Sequence, residues 1–106
     1  MRFLVISISR QALPPSQVLG LIAAKRTWVA EHRATGQLVD CFSLAGRSGS
    51  GYILAVESNE ELTTIRAGDP FAPFSDVEIY PLSDLEAAFD VYEQVMVQAA
   101  EAVPFP

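Results

Sequence analysis

An α+β fold, with elements in the order β-α-β-β-α-β and one further helix at the end, is the architecture this sequence predicts. Three observations carry it. Residues 2 to 9 (RFLVISIS) and 76 to 80 (DVEIY) alternate their side chains with the period of two expected of a strand. Val18, Leu21, Ile22, Lys25, Trp28, Val29 and His32 recur at three- and four-residue spacing, which is one face of an amphipathic helix. Two apolar runs, QLVDCFSLA and YILAV, flank the glycine-rich GRSGSG, as in a hairpin.

The elements follow in chain order. The first strand sets Phe3, Val5, Ser7 and Ser9 against Leu4, Ile6 and Ile8, so both of its faces are largely apolar and both call for a cover. ALPPSQ then supplies a loop in which Pro15 opens a helix, and the helix runs to about residue 35 and stops at Gly36. The hairpin places a second strand in QLVDCFSLA, a flexible turn in GRSGSG and a third strand at 52 to 56. Ser58 and Glu61 stand in capping-box spacing and Gly68 ends a short second helix. Two prolines flanked by phenylalanines, DPFAPF, form a stiff elbow before the fourth strand. A third helix spans 83 to about 101, with Ser83 and Glu86 repeating the capping spacing and Leu85, Ala88, Phe89, Tyr92, Val95 and Met96 on one face. The order is the ferredoxin-like split βαβ arrangement, an antiparallel sheet with two helices on one face. The simplest cover for its other face is the same sheet of a second copy, giving a dimeric α+β barrel, with the last helix free to swing out and grip that neighbour.

A chain of 106 residues, 50% hydrophobic and 19% charged, makes one domain over 1–106, with a core at 1–82. Its mean hydropathy of +0.25 is high for so small a domain and points to apolar surface that meets another subunit, a homodimer at least or a larger ring. Seven basic residues against 13 acidic ones give a net charge of -6, which repels phosphate backbones and excludes nucleic acid as a partner. No stretch reaches the roughly 20 apolar residues that span a bilayer, and the serines in the first strand argue against a signal peptide, so a cytoplasmic protein is expected. The single cysteine, Cys41, excludes an internal disulfide, and with one histidine far from it the chain lacks the materials of a metal site.

With these elements placed, four segments stand out: MRFLVISI at 1 to 8, TGQ at 35 to 37, AGRSGSGYI at 45 to 53 and DPFAPFSDVEIYPL at 69 to 82. In kind and spacing they resemble the muconolactone isomerase family, whose chains begin with an MLFLVKM-like strand and end their core with an LPLFPYMDIEV-like segment. The resemblance covers roughly residues 1 to 82. It implies an enzyme that moves a proton within a small unsaturated lactone, needs no cofactor and assembles through dimers into larger rings. Two positions depart from the pattern: Arg47 follows AG where the family has a histidine, and Ile6 replaces a lysine of the first strand.

Such a reaction needs a base near the carbon and a donor for the dienolate oxygen. Lys25 and His32 share the apolar face of the first helix, two turns apart, and are the first candidates. Either Lys25 faces a dry pocket, where it can shuttle a proton or pair with a substrate carboxylate, or it snorkels to solvent. His32 either joins it or serves the helix C-terminus, where a cation is favoured. Glu78 is a candidate general base if its strand face is enclosed, and otherwise marks the wet face of the sheet. For substrate binding the candidates are Arg47, whose guanidinium matches a carboxylate; Tyr52, a donor to an enolate oxygen; and Phe71 and Phe74, either pocket wall or core plug. A non-catalytic homo-oligomeric binding module and a cofactor-free monooxygenase of the same barrel class are the alternatives.

Overall fold

In the computed structural model, which describes residues 1–102, eight elements follow the expected order. They are strand β1 (Arg2–Ser9), helix α1 (Pro15–Ala34), strands β2 (Leu38–Ser43) and β3 (Gly49–Ala55), helix α2 (Asn59–Ala67), a 3-10 turn (Ala72–Phe74), strand β4 (Ser75–Leu82) and helix α3 (Leu85–Ala102). The last four residues of the expected domain, 103–106, lie outside the described region. The strands form one antiparallel sheet in the order β2-β3-β1-β4, the ferredoxin-like arrangement.

Local chemistry sets most boundaries. Pro15 occupies the first turn of α1, where its missing N–H costs nothing, and Gly36 takes φ 78° just beyond the helix. Ser58 caps α2, its hydroxyl accepting from the Glu61 amide at 3.1 Å, while Glu61 Oε2 accepts from the Glu57 amide at 2.8 Å. The cap of α3 falls one residue later than expected: Asp84, not Ser83, accepts from the Ala87 amide at 2.9 Å.

Register divides the sheet into two faces. Phe3 lies opposite Leu54, Val5 opposite Tyr52 and Ile79, and Ser7 opposite Ser50 and Val77. Cross-strand partners share a face, so these residues form the side on which the helices pack. Trp28 of α1 and Leu62 and Ile65 of α2 complete a core with Phe3, Val5, Leu38, Tyr52, Leu54 and Val56. The Trp28 indole N–H donates to the Ile65 carbonyl at 3.1 Å and fastens one helix to the other. Leu4, Ile6 and Ile8 occupy the opposite face, where they stay only half-buried.

The hairpin departs from expectation. β3 starts at Gly49 rather than at 52, so half of the predicted flexible turn belongs to the ladder. Gly49 lies opposite Ile8, where a Cβ would stand 2.3 Å from the Ser7 carbonyl oxygen, and at Gly51 it would meet the Phe42 ring at 2.4 Å. These glycines are there for close approach, not for flexibility. β2 also carries a register shift between Leu38 and Asp40, which leaves Val39 exposed and returns Cys41 to the core side opposite Tyr52.

Helix α3 buries none of its residues and leaves the domain as an arm. The chain extends 67 Å along its longest axis against 30 and 21 Å across. Its radius of gyration of 18.9 Å compares with about 13 Å for a compact domain of this length.

The two kinds of glycine separate by mutation. Gly49→Ala forces a methyl group against backbone and is expected to cost about 1–3 kcal/mol, whereas Gly46→Ala, with nothing among the described residues within 4 Å of the new Cβ, is expected to be close to neutral. Thermal melts of both variants check it; equal melting temperatures would refute this reading of the hairpin.

Candidate active site

Along the helix-facing side of β1 the side chains shrink from Phe3 and Val5 to Ser7 and Ser9. The large residues meet Trp28 and fill the layer between sheet and helix, whereas at the serine end the layer stays open. A cavity of about 540 Å³ lies there. Strand serines (Ser7, Ser43, Ser50) and Gly49 form its sheet side, Ile22 and Lys25 of α1 its helix side, and Phe71 and Phe74 of the elbow close one end.

Lys25, the only lysine of the chain, is the charged group of this lining. Its Nζ donates to Asp69 Oδ2 at 2.5 Å, with the two side chains 14% and 2% exposed. The ammonium also lies 4.4 Å from the Trp28 ring centre and 4.9 Å from that of Tyr52, so aromatic faces replace part of its lost hydration. Asp69 stands in the turn that ends α2. Its second carboxylate oxygen accepts from the Phe71 amide at 3.0 Å, which ties the charge that holds Lys25 to the backbone that aims Phe71.

The elbow is anchored on its other side by Arg10, the residue that follows β1. The Arg10 amide donates to the Phe74 carbonyl at 3.0 Å, and the Arg10 guanidinium donates to the Pro73 carbonyl. Pro73 lies within the 3-10 turn, closed by the Phe74 amide on the Phe71 carbonyl at 3.0 Å. Both rings are therefore held half-buried, in the lining of the cavity.

The remaining candidates lie elsewhere. Tyr52 is 1% exposed, packed edge-on to Trp28 beneath Lys25. Burial first, and then the negative charge of Asp69, pushes its phenol well above the usual tyrosine range. His32 sits at the far end of α1, its ring edge against Trp28 and its Nδ1 3.1 Å from Gln37 Oε1, outside the cavity. Glu78 is exposed on the other face of the sheet, opposite Ile6, where it accepts from the Tyr80 hydroxyl. One strand position decides this: Val77 and Ile79 face the helices, so Glu78 cannot. Arg47 is exposed in the hairpin turn, next to the lining residue Ser48.

Asp69 and the serines were not singled out from the sequence. An aspartate before proline reads as a turn former, which Asp69 also is. Its pairing with a residue 44 positions away has no local signal. The serines had one, the alternation that puts Ser7 and Ser9 on the face of Phe3 and Val5.

Two outcomes follow. Lys25→Met leaves a carboxylate buried without its counter-charge and is expected to cost about 3 kcal/mol or more, with most of the loss recovered in Lys25→Met/Asp69→Leu; chemical denaturation of the single and double variants measures the coupling, and additive losses would disprove the pair. Because the phenol of Tyr52 is raised, its contribution is intact below the ordinary tyrosine value of 10.0 and is lost as pH rises above it. Stability should therefore fall by up to about 1.4 kcal/mol per pH unit in that range, with a shallower alkaline limb in Tyr52→Phe.

The same arrangement of elements occurs in solved proteins. A crystal structure of muconolactone isomerase superposes with a TM-score of 0.72 at 21% identity, covering 79% of this chain and 90% of that one. A 5-chloro-2-hydroxyhydroquinone dehydrochlorinase from Burkholderia phenoliruptrix, solved with 2,5-dihydroxybenzoquinone, superposes with a TM-score of 0.65 at 20% identity, covering 82% and 98%. At such identities the likeness is one of fold. No curated relative matches the sequence. The sequence profile of muconolactone delta-isomerase, however, matches residues 1–88, everything but most of the α3 arm. The chain is a member of the muconolactone delta-isomerase family.

Proposed function

We propose that this protein is a cofactor-independent isomerase, or a related cyclase, that moves a proton within a small unsaturated lactone or enone. The observation that carries the reading is Lys25: a single lysine, paired with a buried carboxylate, at the wall of an aromatic and serine-lined cavity. Membership of an isomerase family supports the reaction class, and the cavity of about 540 Å³ suits a small ring compound.

In the proposed step the substrate displaces water from between Phe71, Phe74 and the strand serines. Nζ of Lys25 passes a proton to Asp69 across the 2.5 Å contact, and the free amine takes one from the carbon beside the carbonyl. The resulting dienolate oxygen accepts from Ser7 or Ser50, the hydroxyls that the sheet side offers. The ammonium then returns the proton at the far end of the conjugated system, and Asp69 gives its own back to Nζ. One C–H bond breaks, another forms, the double bond migrates, and nothing else is consumed. Asp69 is the positioning and proton-holding partner. In this reading Arg47, next in the chain to the lining residue Ser48, pairs with a substrate carboxylate.

Incubation of the protein with a panel of unsaturated lactones and enones in deuterated water, followed by proton NMR, tests this. Protein-dependent deuterium uptake with double-bond migration is expected for at least one compound. Phe74→Ala should weaken binding about tenfold, roughly 1.4 kcal/mol, while lowering stability less than the ~3–5 kcal/mol of a core ring. Lys25→Met, assayed at a temperature where it is folded, should lose about a hundredfold or more in rate. Exchange that survives in Lys25→Met would refute the assigned role.

A further inference from the structure

We infer that α3 is an arm that docks on α1 of a second copy of this chain and completes the outer wall of that copy's cavity. Both halves of the contact are on the molecular surface. On α1, Ile22, Val29 and Ala30 with Phe71 line a shallow groove of about 410 Å³, and Arg26 and Arg33 line it with them. On α3, Leu85, Phe89, Tyr92 and Met96 form an apolar stripe, each more than half exposed. All charged residues of α3 are acidic, and Glu86 and Glu93 flank the stripe on one side.

The match goes beyond apolarity. Arg26 and Arg33 are seven residues apart on α1, and so are Glu86 and Glu93 on α3. A helix repeats its surface every two turns at that spacing, so both arginines meet both glutamates in one register. Run antiparallel, which also opposes the helix dipoles, the pairs are Glu86 with Arg33 and Glu93 with Arg26. The lengths agree as well, 20 residues against 18, or about 30 and 27 Å at the usual rise.

The other apolar surface open to α3 is the uncovered sheet face, and it fits worse. Asp76 and Glu78 lie on it, exposed, and would oppose an acidic helix. Within its own chain α3 extends away from the domain, so a partner copy is the occupant. Ile22, Lys25 and Phe71 border both the groove and the cavity, so an arm seated in the groove walls the site from outside. The inference does not depend on the reaction proposed above.

Two full-length double variants test it. Arg26→Glu/Arg33→Glu makes the groove acidic, and Glu86→Arg/Glu93→Arg makes the arm basic; all four positions are exposed, so the fold is unaffected. Either variant alone sets like charge against like. Its self-association constant, read by sedimentation equilibrium at low salt, is expected to weaken at least about tenfold. Mixed in equal amounts, the two variants match both grooves to both arms, and wild-type affinity is expected to return in a heterodimer. A wild-type chain that stays monomeric at micromolar concentration, variants that self-associate as tightly as wild type, or a mixture no tighter than its parts would each overturn the inference.

Discussion

The contact between Lys25 and Asp69 is the constraint on which the rest of the site depends. Two opposite charges withdrawn from water survive only if each finds enough partners to replace its hydration. Here the ammonium has the carboxylate at 2.5 Å and two aromatic faces, and the carboxylate has the ammonium and a backbone amide. Those partners belong to α1, β3 and the turn after α2. Satisfying the pair therefore brings three elements to one point and fixes the start of the elbow that carries Phe71. A neutral pair of similar volume would pack the same elements but leave no ionisable group at the cavity wall.

The cavity itself is a consequence of side-chain size along one strand face. Where β1 offers Phe3 and Val5, α1 answers with Trp28 and the layer is filled. Where it offers Ser7 and Ser9, and β3 offers Ser50 and Gly49, nothing on the helix is large enough to close the gap. The elbow caps the open end because its prolines restrict the backbone and Arg10 holds two of its carbonyls. Core and cavity are two ends of a single layer.

The apolar surface implied by the mean hydropathy is present and has two locations. One is the uncovered sheet face, with Leu4, Ile6 and Ile8 half-buried beside the exposed Phe42 and Tyr80. The other is the stripe of α3. The family profile ends at residue 88, within the first turn of the arm.

What could be read from the sequence was whatever is written locally. Pro15 and Gly36 bound α1, Ser58 with Glu61 starts α2, and the alternation of residues 2 to 9 marks a strand with two apolar faces; each depends on groups within a few residues of one another, so the order of elements and the fold class followed. Lys25, Phe71 and Phe74 were also legible as candidates, since a cation on an apolar stripe and rings between prolines are local facts. Tertiary structure alone decided which candidates meet. It placed Asp69 against Lys25 across 44 positions, sent His32 to the far end of the helix, and turned Glu78 to the outer face through a register set by pairing with β1. It also drew Gly49 and Gly51 from the turn into the ladder, because the space available to a Cβ is determined by a neighbouring strand and not by the residues on either side. Sequence carries the period of an element; the register between elements, and with it the identity of each side chain's neighbour, exists only once the chain has folded.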